Sequence, residues 1–551
     1  MKIRNIHNIL IVAILMSLFL GCEGQKKGKA QKIEPPQQLD KTIGDLAEVV
    51  AFNPIPVKGI GIVVGLAGTG SSECPPAIRD YLRQYIQTQL GQSQNVNPDM
   101  MINSTDTAVV LVEGFIPAGA VKQESFDVSV KALPGTQTTS LKGGRLYTTE
   151  LKLVSRVEEA PVASKTLALA AGAVYIDNIA QPQSDLRTGY VLGGGKTMQN
   201  YQILLAIFKP DFRVAAAIRN RVNQRFGRNT ASASSDNIIS LSLPDELSDR
   251  KERFIELVRS LYISTTAVSE DRQITALLQK LQTEPQKEKY ETGLEALGKP
   301  AVSRLLPLLQ SDDVQIKFAA ARCLLNIGDA RSLKLLRDFA QDKTSPVRLA
   351  AIEAVGYAAP KRDCIALMNR LIRDEDFNVR YAAYKFLLKY NDTSIVQTAV
   401  AKDFYIDQVL ALSPKTVYVS RKDKARIVLF GAPIDCEKDI FIESDDGQII
   451  INAVPDENSP QLGRAAMGRI SIMRKHPVTG ELMGPLKTSF RLADVIRALG
   501  DEPAPEEEKL RSGLGVSYSE IVELLRKMCE KGAVKAEFVP GPLTPLAQKQ
   551  K

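Results

Sequence analysis

The sequence predicts an α+β multidomain protein in which two regions of mixed strands and helices flank an α-helical repeat solenoid. Three observations predict it. The chain has 551 residues, 44% hydrophobic and 24% charged, which is ordinary for folded protein and enough for about three to four domains. In the middle a pattern recurs as Ile316-Lys317-Phe318-Ala319-Ala320, Val347-Arg348-Leu349-Ala350-Ala351 and Val379-Arg380-Tyr381-Ala382-Ala383, at spacings of 31 and 32 residues. That period belongs to stacked helix pairs. On either side, short apolar runs bounded by Gly and Pro alternate with single amphipathic helices.

The N-terminus reads as an export segment. Lys2 and Arg4 give a positive start, and Ile9 to Leu20 form an apolar run too short to span a bilayer as a helix. Phe19-Leu20-Gly21-Cys22 closes it and resembles the lipobox at which bacterial lipoproteins are cut and acylated, so residues 1–21 are expected to leave and Cys22 to carry lipid. Residues 22–40 are rich in Lys, Gln and Pro, cannot bury a core, and are expected to act as a lipidated flexible tether. Formal net charge is +8, or +6 without Lys2 and Arg4, and only Lys26, Lys27, Lys29 and Lys32 cluster. That cluster reads as a solvated tether or as attraction to anionic headgroups or cell-wall polymer beside the membrane. No nucleic-acid partner is expected of an exported protein.

Residues 41–266 form the first mixed region. Strands are predicted at Gly59 to Val64, Ala108 to Val112, Phe126 to Val130 and Tyr201 to Phe208. Helices are predicted over Pro76 to Leu90, with Ile78, Leu82, Ile86 and Leu90 at four-residue spacing, and after Pro210-Asp211, stopping at Gly227. Residues 267–400 hold the repeats, which resemble HEAT repeats. Asp312-Asp313 and Glu375-Asp376 precede two of them, where a helix N-terminus favours acids, and Leu297 to Leu309 reads as the second helix of an earlier repeat. Because such repeats touch only their neighbours, the array is expected to be a separable unit with its own, unidentified protein partner. Lys317, Arg348 and Arg380 form a ladder, either a binding stripe or hydrogen bonds between adjacent repeats. Residues 401–545 return to mixed structure, with strands at Ala425 to Phe430, Asp439 to Glu443, Gln448 to Val454 and Arg469 to Met473. A helix is predicted over Ser517 to Lys531, with Ser517 and Glu520 as a capping box and Val516 and Ile521 as its staple, then a strand from Ala533 to Val539.

Catalysis finds little support. The mature chain would keep a single imidazole, His476, and no Ser sits in a nucleophile elbow. Gly59 to Gly65 lacks dinucleotide spacing, Gly65 to Ser72 lacks the phosphate-loop Lys, and Gly193-Gly194-Gly195-Lys196-Thr197 is preceded by Tyr190 where a first Gly is required. No catalytic residue, cofactor or metal site is assigned. Cys74, Cys323, Cys364, Cys436 and Cys529 have no CxxC spacing, and their odd number leaves at least one thiol free or paired between chains.

Five stretches occur in the order found in the flagellar basal-body P-ring protein family. They are Gly59 to Gly70, Phe126 to Val130 with Ser140 to Leu151, Pro210-Asp211-Phe212 with Asn223, Ala231, Asp236 and Pro244, Leu492 to Leu499, and Ile521 to Val539. The chain therefore resembles that family with a HEAT array inserted. The resemblance implies a non-enzymatic subunit that self-associates into a periplasmic ring around the flagellar rod, beside other ring proteins and the peptidoglycan. A second reading is a non-flagellar envelope lipoprotein using the HEAT array as a protein-binding scaffold. The lipobox generates a direct test: Cys22→Ser is expected to abolish acylation and release the protein from membranes, because each buried acyl CH₂ contributes about 0.8 kcal/mol. Mass spectrometry of the native protein finding Cys22 unmodified would end the claim.

Overall fold

The computed structural model describes residues 41–90, 97–153, 165–179, 185–263, 266–453, 469–476, 480–503 and 513–543. Cys22, the export segment and the tether lie outside them. The first region opens with β1 (Ala47–Val50) and β2 (Ile55–Val64), then α1 (Pro76–Leu90) and α2 (Pro98–Ile102). It continues with β3 (Thr107–Ile116), β4 (Ser125–Ala132), β5 (Arg145–Leu153), β6 (Thr166–Ala173), β7 (Thr188–Thr197) and β8 (Ile203–Ile207). Strands β2-β3-β4-β7-β6-β5 close into a barrel. Alternation fills it: Ala108, Val110, Val112 and Ile116 from β3 meet Phe126, Val128 and Val130 from β4 in one core. Ile62 and Val109 face outward instead and are covered by Leu82 and Ile86 of α1 and Ile102 of α2. The glycines of Gly59-Ile60-Gly61 serve this closure. A Cβ on Gly59 would lie 2.2 Å from the Glu150 carbonyl, and one on Gly61 2.2 Å from Thr149 Oγ1, so β2 approaches β5 where side chains would not fit.

Next to the barrel, β8 joins β1 and the later β9 (Ala231–Ala233) and β10 (Ile238–Leu241) in an antiparallel sheet of order β1-β8-β10-β9. Helices α3 (Phe212–Phe226) and α4 (Lys251–Ser260) cover it through Ile218, Val222, Phe254 and Val258. The start and stop of α3 follow its sequence: Asp211 accepts from the Arg213 N–H, and Gly227 ends the helix at φ +111°.

The repeats are α5 (Ala267–Thr283), α6 (Lys287–Leu297), α7 (Val302–Leu305), α8 (Val314–Ile327), α9 (Leu333–Gln341), α10 (Arg348–Ala358), α11 (Lys361–Leu371) and α12 (Phe377–Lys389). Asp313 and Asp376 cap α8 and α12 as the sequence predicts. The stretch read as one helix over Leu297 to Leu309 is instead α7 between 3₁₀ turns at Lys299–Ala301 and Leu306–Gln310. Pro300 and Pro307 lack the N–H a continuous helix needs. Ala320, Ala351 and Ala383 are fully buried, and Gly356 meets the Phe386 ring so closely that a Cβ there would sit 2.3 Å from it.

The last region holds β11 (Ile395–Val400), β12 (Phe404–Val409), β13 (Thr416–Arg421), β14 (Arg426–Phe430), β15 (Ile440–Glu443), β16 (Ile449–Ala453), β17 (Ile470–Lys475), β18 (Leu482–Thr488), α13 (Leu492–Gly500), α14 (Tyr518–Glu530) and β19 (Glu537–Leu543). Two sheets result, of order β11-β12-β14-β13-β19 and β15-β16-β17-β18. The capping box of α14 is present, and Val516 and Ile521 are both buried. The strand after it starts at Glu537 and not at Ala533. Gly532 (φ +73°) turns the chain, and Val534 is tied back to Cys436 by an isolated bridge before β19 begins. Hydrophobic alternation counted that buried link as strand.

The array is not a free unit. Its last helices share one core with the five-stranded sheet: Phe377, Tyr384 and Phe386 pack with Val409, Tyr418, Val428 and Phe430. Tyr381 and Tyr418 ring centroids are 4.8 Å apart. The expected separability is corrected, because α12 has no apolar face left for solvent and buries its stripe on the sheet. Cut out as residues 267–391, the repeats are expected to stay helical by circular dichroism. Amide exchange in α12 should nonetheless run far faster than in the full chain, and equal protection of α12 in both would contradict the shared core.

Candidate functional site: the junctions that fix the three parts

Charged side chains concentrate where the parts meet. Between array and sheet, Asp407 is fully buried and accepts from Tyr384 Oη, from Arg426, and from Gln397 Nε2 at 3.1 Å. Both charges of the Asp407–Arg426 pair are withdrawn from water, with side-chain exposures of 0% and 15%. Removing one partner of such a pair typically costs about 3–5 kcal/mol, because the other charge stays buried. The Tyr384 hydroxyl is pushed far above its usual range by burial and by the Asp407 carboxylate, so it stays a donor.

The ladder residues lie beside this pair. Arg348 donates to the Ala340 carbonyl at 3.2 Å and pairs with Asp374 at 2.5 Å. Arg380, 1% exposed, donates to the Asp374 and Glu375 carbonyls at 2.8 and 2.7 Å and to Thr416 Oγ1 at 2.8 Å. Arg348 and Arg380 thus meet at the loop holding Asp374, and the ladder runs inward from repeat to repeat and on to the sheet. Lys317, one repeat earlier, is half-buried on α8. Buried guanidiniums of this kind do not present a stripe to a partner.

The start of the array is held by the first region. Arg253 of α4 donates to Glu295 and Thr292 of α6. Arg322 of α8 grips buried Glu291 through two hydrogen bonds of 2.7 Å. The same stretch around α4 reaches the far repeats, where Asp249 pairs with Lys389 at 2.6 Å and the Arg250 guanidinium lies 4.9 Å from the Tyr357 ring.

Barrel and last region touch directly. Asp127 of β4 accepts from the Gly193 N–H at 2.6 Å and the Asp423 N–H at 2.9 Å. Gly193 (φ +62°) is the first of three glycines in the stretch that ends like a Walker motif. Its role here is close approach, since a Cβ would lie 2.8 Å from the Asp423 carbonyl. Nearby, Asp177 pairs with Arg421 at 3.1 Å, and the Ile176 N–H donates to Ser519 Oγ at 3.0 Å. Lys142 reaches Asp446 at 3.2 Å. None of Asp127, Asp407, Asp423 or Arg426 was singled out in the sequence. The usable signal was a lone charge inside an apolar strand, as Asp407 is in Phe404 to Val409.

These contacts define the class: a multidomain α+β protein whose polar chemistry is spent on fixing its parts rigidly. Residues 42–272, which cover the barrel, the sheet beside it and α3 and α4, match the family model described as flagellar P-ring protein. Residues 274–356 match HEAT repeats. The flagellar P-ring protein of Nitrosospira multiformis is 30% identical over 237 residues, 42% of this chain and 61% of that protein. Those of Albidiferax ferrireducens and Helicobacter pylori are 28% and 27% identical, over 41% and 42% of this chain and 61% and 64% of theirs. The chain therefore spans about three fifths of the length of these relatives. The likeness is to structural ring proteins and not to enzymes.

One junction should respond to pH. Burial, and then the neighbouring Asp127 carboxylate, raise the Asp423 carboxyl above its usual value of 3.8. A raised carboxyl stabilises the fold below its unfolded value, and that contribution is lost as pH rises through the folded value. Asp423→Asn keeps a residue that tolerates φ +59° and removes the repulsion. A small rise in melting temperature is therefore expected at pH 7, since Asp423 is exposed and solvent screens the repulsion, shrinking as pH falls toward 4. A variant less stable than the native protein at pH 7 would refute this reading of the junction.

Proposed function

We propose that this protein is a structural, non-catalytic subunit of a periplasmic flagellar basal-body ring, a P-ring-like bushing around the rod. It would be held in the envelope by lipid on Cys22. The observation that carries the reading is the P-ring family match, which spans the whole barrel and the sheet packed beside it. The ring would require heterologous contacts, one patch meeting a different patch on the next subunit until the rotation closes. Phe208 and Phe212 supply a candidate patch. They are 56% and 73% exposed, and they flank Pro210-Asp211 within the matched residues. Exposed aromatics at a strand end and a helix start are what a subunit contact uses. The last region would extend the P-ring-like part beyond the matched residues, and the array would brace the two. The flagellar rod, neighbouring ring proteins and peptidoglycan are the partners this reading implies. None of the described helices is long and apolar enough to cross a membrane, so attachment would fall to the lipid.

Purified mature protein is expected to sediment as closed oligomers and to give rings by electron microscopy. Phe208→Asp with Phe212→Asp should keep the circular-dichroism spectrum and shift sedimentation to monomer. A native protein that stays monomeric at every concentration would favour the envelope-scaffold reading. Intact rings from the double variant would remove this patch from the contact.

A further inference from the structure

The second helices of the central repeats, α9 and α11, present one outer face. Leu333, Leu336 and Ala340 of α9 and Cys364, Leu367, Met368 and Leu371 of α11 point into the core. That leaves Lys334, Arg337, Asp338 and Gln341 outward on α9, and Lys361, Arg362, Ala366, Asn369 and Arg370 on α11, with Arg373 just beyond its end. The two helices are bridged there by Arg337 and Asp363 at 3.8 Å. Cations outnumber acids: with Arg337 and Asp363 paired to each other, Lys334, Lys361, Arg362, Arg370 and Arg373 stand against Asp338 and, just beyond α9, exposed Asp342, while Asp374 beyond α11 is engaged by Arg348. Lys361 lies 5.5 Å from the Tyr390 ring, which leaves its charge in place. The first-helix side differs, mixing Asp312, Asp313, Glu353 and Glu375 with Lys385 and Lys389. Positive charge is therefore in excess on one side of the array.

The face also lacks an anchor. Among the described residues, no large hydrophobic side chain of α9 or α11 is exposed, whereas Leu349 and Tyr357 of α10 are. A protein partner ordinarily fills a pocket around a buried aromatic or aliphatic residue at the centre of its interface. A bilayer surface needs no such pocket. Its phosphates attract Lys and Arg at headgroup depth without apolar insertion.

We infer that the outer face of α9 and α11 is an electrostatic docking surface for a bilayer carrying anionic phospholipid. The inference rests on neither the ring nor the lipid anchor. Docking there would fix the orientation of the body against the membrane surface.

The test uses full-length mature protein carrying Cys22→Ser, so that acylation contributes nothing, with vesicles of phosphatidylglycerol and phosphatidylcholine or of phosphatidylcholine alone. Co-sedimentation is expected with the anionic vesicles only, and it should fall steeply between 0.05 and 0.5 M salt, on the order of the screening of a few charges. Each basic residue near an anionic surface is expected to change partitioning by about fivefold. Arg362→Gln, Arg370→Gln and Arg373→Gln together should thus weaken it by about a hundredfold, with an unchanged circular-dichroism spectrum. Equal binding to neutral vesicles would overturn the proposal. So would unchanged binding by the triple variant, which would assign the attraction to Lys26, Lys27, Lys29 and Lys32. Binding to isolated peptidoglycan sacculi that the triple variant loses, without vesicle binding, would overturn it in favour of a wall polymer.

Discussion

The rest of this structure depends on the burial of Asp407 between the last repeat and the five-stranded sheet. A carboxylate taken wholly out of water is tolerable only if both its oxygens find donors, and here Arg426 and Tyr384 supply one oxygen and Gln397 the other. Those donors come from α12, β11 and β14, so the charge can be satisfied only when all three elements are docked. Greasy packing alone would allow α12 to slide on the sheet, since apolar contact is indifferent to small shifts. A buried ion pair with fixed donors is not. It selects one docking, and the Arg348–Asp374–Arg380 ladder carries that choice back into the preceding repeat.

The same logic explains why so few of the junctions were legible in the sequence while most of the elements were. Helix α1 spans the residues its spacing predicts, and the caps at Asp211, Asp313, Asp376 and Ser517 stand where local chemistry puts them. These are decisions made within a few residues. What the array packs on is a different kind of fact. Phe377, Tyr381 and Tyr384 look like an ordinary repeat stripe, and only the fold reveals that their neighbours are Tyr418 and Phe430. Asp127 and Asp423 are separated by 296 positions, and no local pattern couples them. The ladder was readable as a ladder but not as buried, because an Arg in a repeat looks the same whether it faces water or a carbonyl.

Local rules also failed in two instructive places. The second helix of the early repeat breaks at Pro300 and Pro307, where the missing N–H groups outweigh the apolar periodicity. After α14, alternation from Ala533 onward looked like strand, yet Ala533 and Val534 are buried in the core and the strand waits until Glu537. The glycine-rich stretches tell the opposite story. Gly59-Ile60-Gly61 and Gly193 owe their residue type to backbone proximity, within the barrel in one case and across to Asp423 in the other.

Three bodies held at three separate seams behave as a triangulated frame. The first region grips the array through Arg253 and Asp249, the array grips the sheet through Asp407, and the sheet returns to the barrel through Asp127 and Arg421. A domain hung on a single seam can swing about it, but closing the circuit removes that hinge. Each body is thus restrained by contacts to both of the others. An array joined to its neighbours at both ends adds a strut where a pendant arm would add only mass.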